Sequence, residues 1–263
     1  MSEVFEYYEG SLPLLISVPH DGRQLPAEQR DRMTAVGVEL PDTDWHVAEL
    51  YGFVREFGAS MIVANYSRYV VDVNRPASDA AMYEGQVATG LCPQYTFAGE
   101  PLYQRDAAVS RQEIAERVDR YWRPYHDKLN AALAGMRARY GLALLWDAHS
   151  IASRVPRLFD GELPVLNLGT FDGNSCNPRI ANALQQIAEA SPYESVMNGR
   201  FKGGYITRHY GDPAGNVHAL QLELAQRAYM NEVSRDYDDE LARLLRGTLR
   251  QLLDAFVTSA SVQ

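Results

Sequence analysis

Five short apolar runs constrain this chain most: L-P-L-L-I-S-V (12–18), S-M-I-V-A-N-Y (60–66), L-A-L-L-W (142–146), P-V-L-N-L-G (164–169) and A-L-Q-L-E-L (219–224). Continuous apolar runs of this length suit strands covered on both faces, as in parallel sheets; the last run alternates. Segments with helical spacing lie between them. Residues 42–57 are expected to form one helix from Asp42 or Thr43, with Val47, Leu50, Tyr51 and Val54 on one side. Residues 110–140 open on a capping box, Ser110 and Glu113, and repeat apolar side chains from Ile114 to Met136. Pro124 inside that pattern should kink or divide the helix. Residues 178–190 start at a proline and carry Ile180, Leu184 and Ile187. Residues 235–257 put Leu241, Leu244, Leu245, Leu249, Leu252 and Phe256 on one face. Strands alternating with helices predict an α/β fold, a three-layer sandwich around a mostly parallel or mixed central sheet.

A chain of 263 residues fits one domain on a single core. It has no repeat, low-complexity segment or long linker, so residues 1–263 read as one hydrolase-sized domain. Residues 76–109 lack periodicity and are rich in Gly, Pro and Tyr, which suits a functional loop or lid. The formal charge is 25 − 34 = −9, and no run of Lys and Arg stands out, so nucleic acid is not an expected partner. An anionic substrate would have to be captured by local arginines, because the overall field repels it. Cys92 and Cys176 form neither a zinc-type pair nor a disulfide framework. The N-terminus is acidic where a signal peptide is basic, and no apolar stretch is long enough to span a bilayer. These features lead us to expect a cytoplasmic protein with no membrane partner; the oligomeric state stays open.

Ligands of open α/β sheets sit beyond the carboxyl ends of the strands. The run at 12–18 leads into His20 and Asp21, and the run at 142–146 into Asp147 and His149. Glu223 lies in the last run, and R-Y-V-V-D-V-N-R (68–75) delivers Arg68, Asn74 and Arg75 from what reads as a strand exit. Two histidines on separate strands with carboxylates suit a zinc site, which takes three His or Asp/Glu ligands and keeps one position for water. Such a metal acidifies water and polarises a carbonyl, and a further carboxylate serves as general base. Glu223 fits that base, or equally a solvent-facing residue alternating with leucines. Asp44, beside His46, is either a third ligand or a charge favouring a helix N-terminus. His126 reads as a packing residue, and Arg208, before His209, as a candidate for an anionic ligand.

These motifs resemble the N-formylglutamate amidohydrolase family over nearly the full length. The resemblance rests on S-V-P-H-D-G (17–22), D-T-D-W-H (42–46), D-V-N-R-P (72–76), W-D-A-H-S (146–150), N-L-G-T-F-D-G-N-S-C (167–176) and G-G-Y-I-T-R-H-Y-G (203–211). It implies a zinc-dependent hydrolase that splits N-formyl-L-glutamate into formate and L-glutamate, the last step of one route of histidine degradation. A more distant similarity to zinc carboxypeptidases and aspartoacylases implies their sandwich fold. It also implies His20 and His149 as metal ligands, Arg68, Asn74 and Arg75 at the substrate carboxylate and carbonyl, and Glu223 as general base. That wider group carries a glutamate where this chain has Arg23, so Asp44, or failing that Asp21, is expected to complete the Zn²⁺ site; another divalent metal would suit the same ligands. Arg75 or Arg68 is expected to stabilise the oxyanion, and Arg208 to anchor the dicarboxylate substrate with one of them. Two alternatives share the residues: a metal-dependent deacylase or peptidase for another N-acyl amino acid, and a binding protein that keeps the arginines without the metal.

Overall fold

The computed structural model describes residues 3–80 and 89–261. Residues 81–88 of the expected 76–109 insertion, and with them the question of a lid there, lie outside the described residues. The strands are β1 (Phe5–Tyr8), β2 (Leu14–Val18), β3 (Ser60–Ala64), β4 (Ala143–Ile151), β5 (Leu166–Gly169), β6 (Ser195–Met197) and β7 (Val217–Ala225). The helices are α1 (Ala27–Arg30), α2 (Ala35–Val38), α3 (Val47–Leu50), α4 (Val54–Phe57), α5 (Arg111–Arg117), α6 (Arg123–Tyr140), α7 (Pro178–Ala190), α8 (Tyr205–Tyr210) and α9 (Asp239–Ser261). One mixed sheet runs in the order β1-β3-β2-β4-β7-β5-β6. Its centre, β3-β2-β4-β7, is parallel, while β1 and the β5–β7 junction are antiparallel. This is the expected α/β architecture.

The central strands are buried on both faces, yet they retain a period of two. Leu144, Trp146 and Ala148 of β4, with Leu220, Leu222 and Leu224 of β7, pack in one core with α7 and α9. Ala143 and Leu145, with Val217 and Ala219, pack in the other with Tyr125, Leu129, Leu133 and Met136 of α6. Continuing along this second face, the next side chains are Asp147 and His149 on β4 and Gln221 and Glu223 on β7. Thus one face of each strand begins apolar and turns polar before its last residue, Ile151 or Ala225. The strand does not stop where the polar residues begin: β4 carries Asp147, His149 and Ser150 within it.

Several helices depart from the expected boundaries. The 42–57 segment is not one helix; it folds as a turn followed by α3 and α4. His46 sits at φ 62°, outside the helical region, and Asp44 N donates to His20 O at 3.1 Å. Tertiary pairing of that backbone with the residue after β2 overrides the helical apolar spacing. In the 110–140 segment, Ser110 Oγ caps α5 by accepting from Glu113 N at 3.2 Å. A π-helical turn (Val118–Trp122) then divides α5 from α6, with Pro124 in the first turn of α6, where its missing N–H costs little. The last helix starts at Asp239 rather than 235, with Asp238 Oδ1 accepting from Glu240 N and Leu241 N at 3.0 Å each. Leu245, Leu249, Leu252 and Phe256 of α9 are fully buried, but Leu241 and Leu244 are exposed at 38% and 50%. The segment 68–75 is turn, not strand.

A candidate metal centre in a buried cleft

Three elements far apart in sequence meet at one point. His20 follows β2, Asp44 lies in the turn before α3, and His149 is on β4. All three are buried, and one ligand atom from each lies within 4.8 Å of the others, as a divalent ion requires. His149 Nδ1 is 3.1 Å from Asp44 Oδ2 and 3.2 Å from His20 Nδ1; His20 Nδ1 is 3.6 Å from Asp44 Oδ2. Asp44 is itself fixed, because its Oδ2 accepts Ser150 N at 3.1 Å. Tyr229 Oη lies 2.7 Å from Trp45 O and 2.6 Å from Ser150 Oγ, and Gln226 Nε2 donates to Thr43 O at 3.0 Å, bracing the same turn. Asp21, the alternative ligand, turns away: its carboxylate accepts Ala48 N at 2.8 Å and pairs with Arg23 at 3.1 Å.

The far side of each imidazole is held by another carboxylate. His20 Nε2 is 2.7 Å from Asp72 Oδ1, and His149 Nε2 is 3.1 Å from Asp147 Oδ2. A carboxylate partner favours the ring proton on Nε2, which turns the Nδ1 lone pair toward the cluster. Asn74 Nδ2 also approaches His149 Nε2, at 3.0 Å, and its Oδ1 accepts Ile206 N at 2.8 Å. The donor set therefore fits a divalent metal: two imidazoles, one carboxylate and a carboxylate behind each ring.

The electrostatics agree with that fit. Burial raises the cost of ionising Asp44, but His20 and His149 outweigh it and hold its carboxyl well below the usual range. Burial likewise opposes charge on His149, yet Asp147 and Asp44 raise its pKa well above that of a free imidazole. Asp72 is held low, against burial, by His20 and Arg68. This buried carboxylate cluster thus favours positive charge at its centre, and a bound cation meets that demand as a proton does.

Glu223 lies next to this centre. The parallel register pairs it directly with His149 across β4 and β7. It is 7% exposed, and Gln221 Nε2 donates to its Oε2 at 3.3 Å, so the solvent-facing alternative is excluded. Burial pushes its pKa up to about 8, with Asp44 and Asp147 adding and His149 and Arg68 opposing.

One cleft is lined by His20, Asp44 and His149 together with Glu223, Arg68, Asn74 and Arg75, and also by Arg200 and Gln221. Arg68 is buried, bonded to Asp72 Oδ2 at 2.7 Å, 3.6 Å from Asp44 Oδ1, with its guanidinium over the Phe97 ring. Arg75 donates to neutral acceptors, Thr89 O at 2.9 Å and Asn74 O at 3.1 Å. The 68–75 turn owes its shape to side chains that bind its carbonyls. Gln29 Nε2 donates to Tyr69 O, Arg117 to Val70 O, His126 Nε2 to Val73 O and Trp122 Nε1 to Arg75 O, at 2.8–2.9 Å. His126, expected to pack, does so against Trp122 at 3.7 Å between ring centroids, and also supports the site. Gly204 lets Asn74 in: a Cβ there would fall 2.3 Å from Asn74 Nδ2.

Arg208 does not join this group. Its Nε donates to Gly203 O at 2.8 Å, its guanidinium lies over the Phe171 ring, and it is not among the residues lining the cleft. Sequence reasoning left Arg200 and Gln221 unassigned. Arg200 stands in an N-G-R-F stretch without periodicity, and nothing in it signals a site. Asp72, flanked by valines in V-V-D-V, did carry a signal, since a charge in an apolar run is one that needs a buried partner.

Comparison with known proteins gives one family. Residues 12–230 match the family model described as N-formylglutamate amidohydrolase. The N-formylglutamate deformylases of Pseudomonas putida and Pseudomonas aeruginosa are 51% and 48% identical to this chain over 259 residues, covering 98% of it and 97% of each relative. Among solved structures, an N-formylglutamate amidohydrolase from Ralstonia eutropha JMP134 aligns with a TM-score of 0.82 at 26% identity, over 97% of this chain and 98% of that one. A gene product from Agrobacterium tumefaciens shares the fold, with a TM-score of 0.73 at 16% identity over 96% of both chains.

Proposed function

The chain belongs to the N-formylglutamate amidohydrolase family, and we propose that it hydrolyses N-formyl-L-glutamate to formate and L-glutamate at the His20–Asp44–His149 centre. The observation that carries this reading is the convergence of those three ligand atoms in a cleft shared with Glu223 and two arginines. Zinc is the metal we infer, because two imidazoles and a carboxylate match its catalytic ligand sets. When bound, such a cation supplies Lewis-acid chemistry, acidifying water and polarising an amide carbonyl.

The residues of the chain supply the rest. Glu223 takes a proton from the attacking water as the C–O bond to the formyl carbon forms. It returns that proton to nitrogen as the C–N bond breaks, which releases formate and the amine of glutamate. Its burial suits both roles, since it raises the carboxyl's pKa toward neutrality, where one group can both take a proton and give it back. Arg75 or Arg68 stabilises the oxygen on which charge develops, and with Asn74 they orient the substrate. Asp72 and Asp147 hold the two imidazoles in the ligating tautomer.

We extend the proposal to the last step of one route of histidine degradation, in the cytoplasm. Two buried free cysteines suit a reducing compartment, and among the described residues no helix is long and apolar enough to cross a membrane. The decisive experiment is formate release from N-formyl-L-glutamate, with N-acetyl-L-glutamate and N-acetyl-L-aspartate in parallel, before and after chelation. The reading requires the formyl substrate to be fastest and the chelated protein to be inactive until metal is restored. Faster turnover of an acetyl substrate favours a related deacylase.

A further inference from the structure

We propose that Arg200 binds the side-chain carboxylate of the substrate and sets selectivity for a dicarboxylate; this rests on the deformylase reading. N-formyl-L-glutamate has a carboxylate next to the scissile amide and another two methylenes further out. Among the described residues, the arginines on the cleft wall are Arg68, Arg75 and Arg200. Arg68 pairs with Asp72 and Asp44, which places it beside the metal centre. Arg75 adjoins Asn74, whose amide touches His149, so it belongs near the reacting group.

Arg200 enters from elsewhere. It follows β6, at the opposite end of the sheet from the strand that leads into the 68–75 turn. Its Nε donates to Leu158 O at 2.7 Å, which fixes the plane of the guanidinium, and Leu158 lines the same cleft. The adjacent Phe201, with its ring centroid 5.3 Å from the Arg200 guanidinium, also lines the wall and supplies apolar surface for methylenes. An oriented guanidinium next to apolar wall matches a carboxylate carried on a short alkyl arm, because the planar fork binds both carboxylate oxygens. Arg208, the anchor expected from its place before His209, is not among the residues lining the cleft.

The test compares kcat/KM for N-formyl-L-glutamate and N-formyl-L-glutamine, which differ in side-chain charge and little in shape. The parent should prefer the glutamate substrate. In Arg200→Gln, kcat/KM for N-formyl-L-glutamate should fall about 10- to 100-fold, the range for one charge-assisted contact, with N-formyl-L-glutamine little changed. Arg200→Lys, which keeps the charge without the fork, should restore part of the preference. An equal loss on both substrates, or an Arg200→Gln enzyme that keeps its preference, overturns the assignment. A parent that deformylates neither substrate removes the deformylase reading itself, and the assignment with it.

Discussion

His20 and His149 are 129 positions apart in the chain, yet their Nδ1 atoms face each other at 3.2 Å, with Asp44 Oδ2 beside both. Parallel pairing of β2 with β4 makes this meeting possible, since it brings the ends of two distant strands side by side. The proposed centre predicts metal dependence. Chelation should abolish formate release, and His149→Ala should bind zinc far more weakly than the parent while keeping its secondary structure. Metal analysis of the purified variants checks this; full zinc content in His149→Ala removes that ring as a ligand.

Glu223→Gln keeps the size of the side chain and removes the base. Turnover should fall by about 10²- to 10⁴-fold, with metal content retained. Steady-state kinetics beside metal analysis separates loss of the base from loss of the centre, and near-parental kcat eliminates Glu223 as proton carrier.

Asp72 and Asp147 touch the Nε2 atoms of His20 and His149, and in the proposed centre they act through those imidazoles. Asp147→Asn and Asp72→Asn should each lower metal affinity or activity by about 10- to 100-fold. Competition with a chromogenic chelator reads the affinity directly, and unchanged affinity with unchanged activity argues against the support role.

Gly204 leaves no room for a side chain beside Asn74. Gly204→Ala should cost about 1–3 kcal/mol of stability as the clash is relieved. It should also lower kcat/KM by displacing Asn74 from His149. Urea unfolding and kinetics on the same preparation check both effects; a parental profile in each means the loop moves freely.

His126 makes acid stability testable. Burial depresses its pKa from 6.5 to about 3, against the opposing hydrogen bond to Val73 O. Between those values the unfolded chain binds a proton that the folded chain does not, so stability falls as pH drops through that window. The slope is about 1.4 kcal/mol per pH unit for this one group. His126→Gln, which can still donate to Val73 O, should show a correspondingly shallower loss of stability between pH 6 and pH 4. An unchanged slope assigns the acid sensitivity to other groups.

The sequence by itself determined the sandwich and most of the ingredients of the centre. Apolar runs and helical spacing report burial, which is local in effect, so β2, β4, β7, α6 and α7 fall close to where their residues predict. Motif residues after or within those runs brought His20, Asp44, His149, Glu223, Arg68, Asn74 and Arg75 forward, and they line one cleft. Tertiary structure decided what local pattern does not encode. The place of Asp44, rather than Asp21, beside the two histidines depended on a backbone bond from Asp44 to His20 that breaks an otherwise helical segment. The 68–75 turn was held out of the sheet by side chains from α1, α5, α6 and the π turn. Arg200 reached the cleft, and Arg208 did not, through loop paths fixed by contacts between segments remote in sequence. Burial patterns are written residue by residue, whereas the direction of a loop side chain is set by whichever distant neighbours claim its backbone.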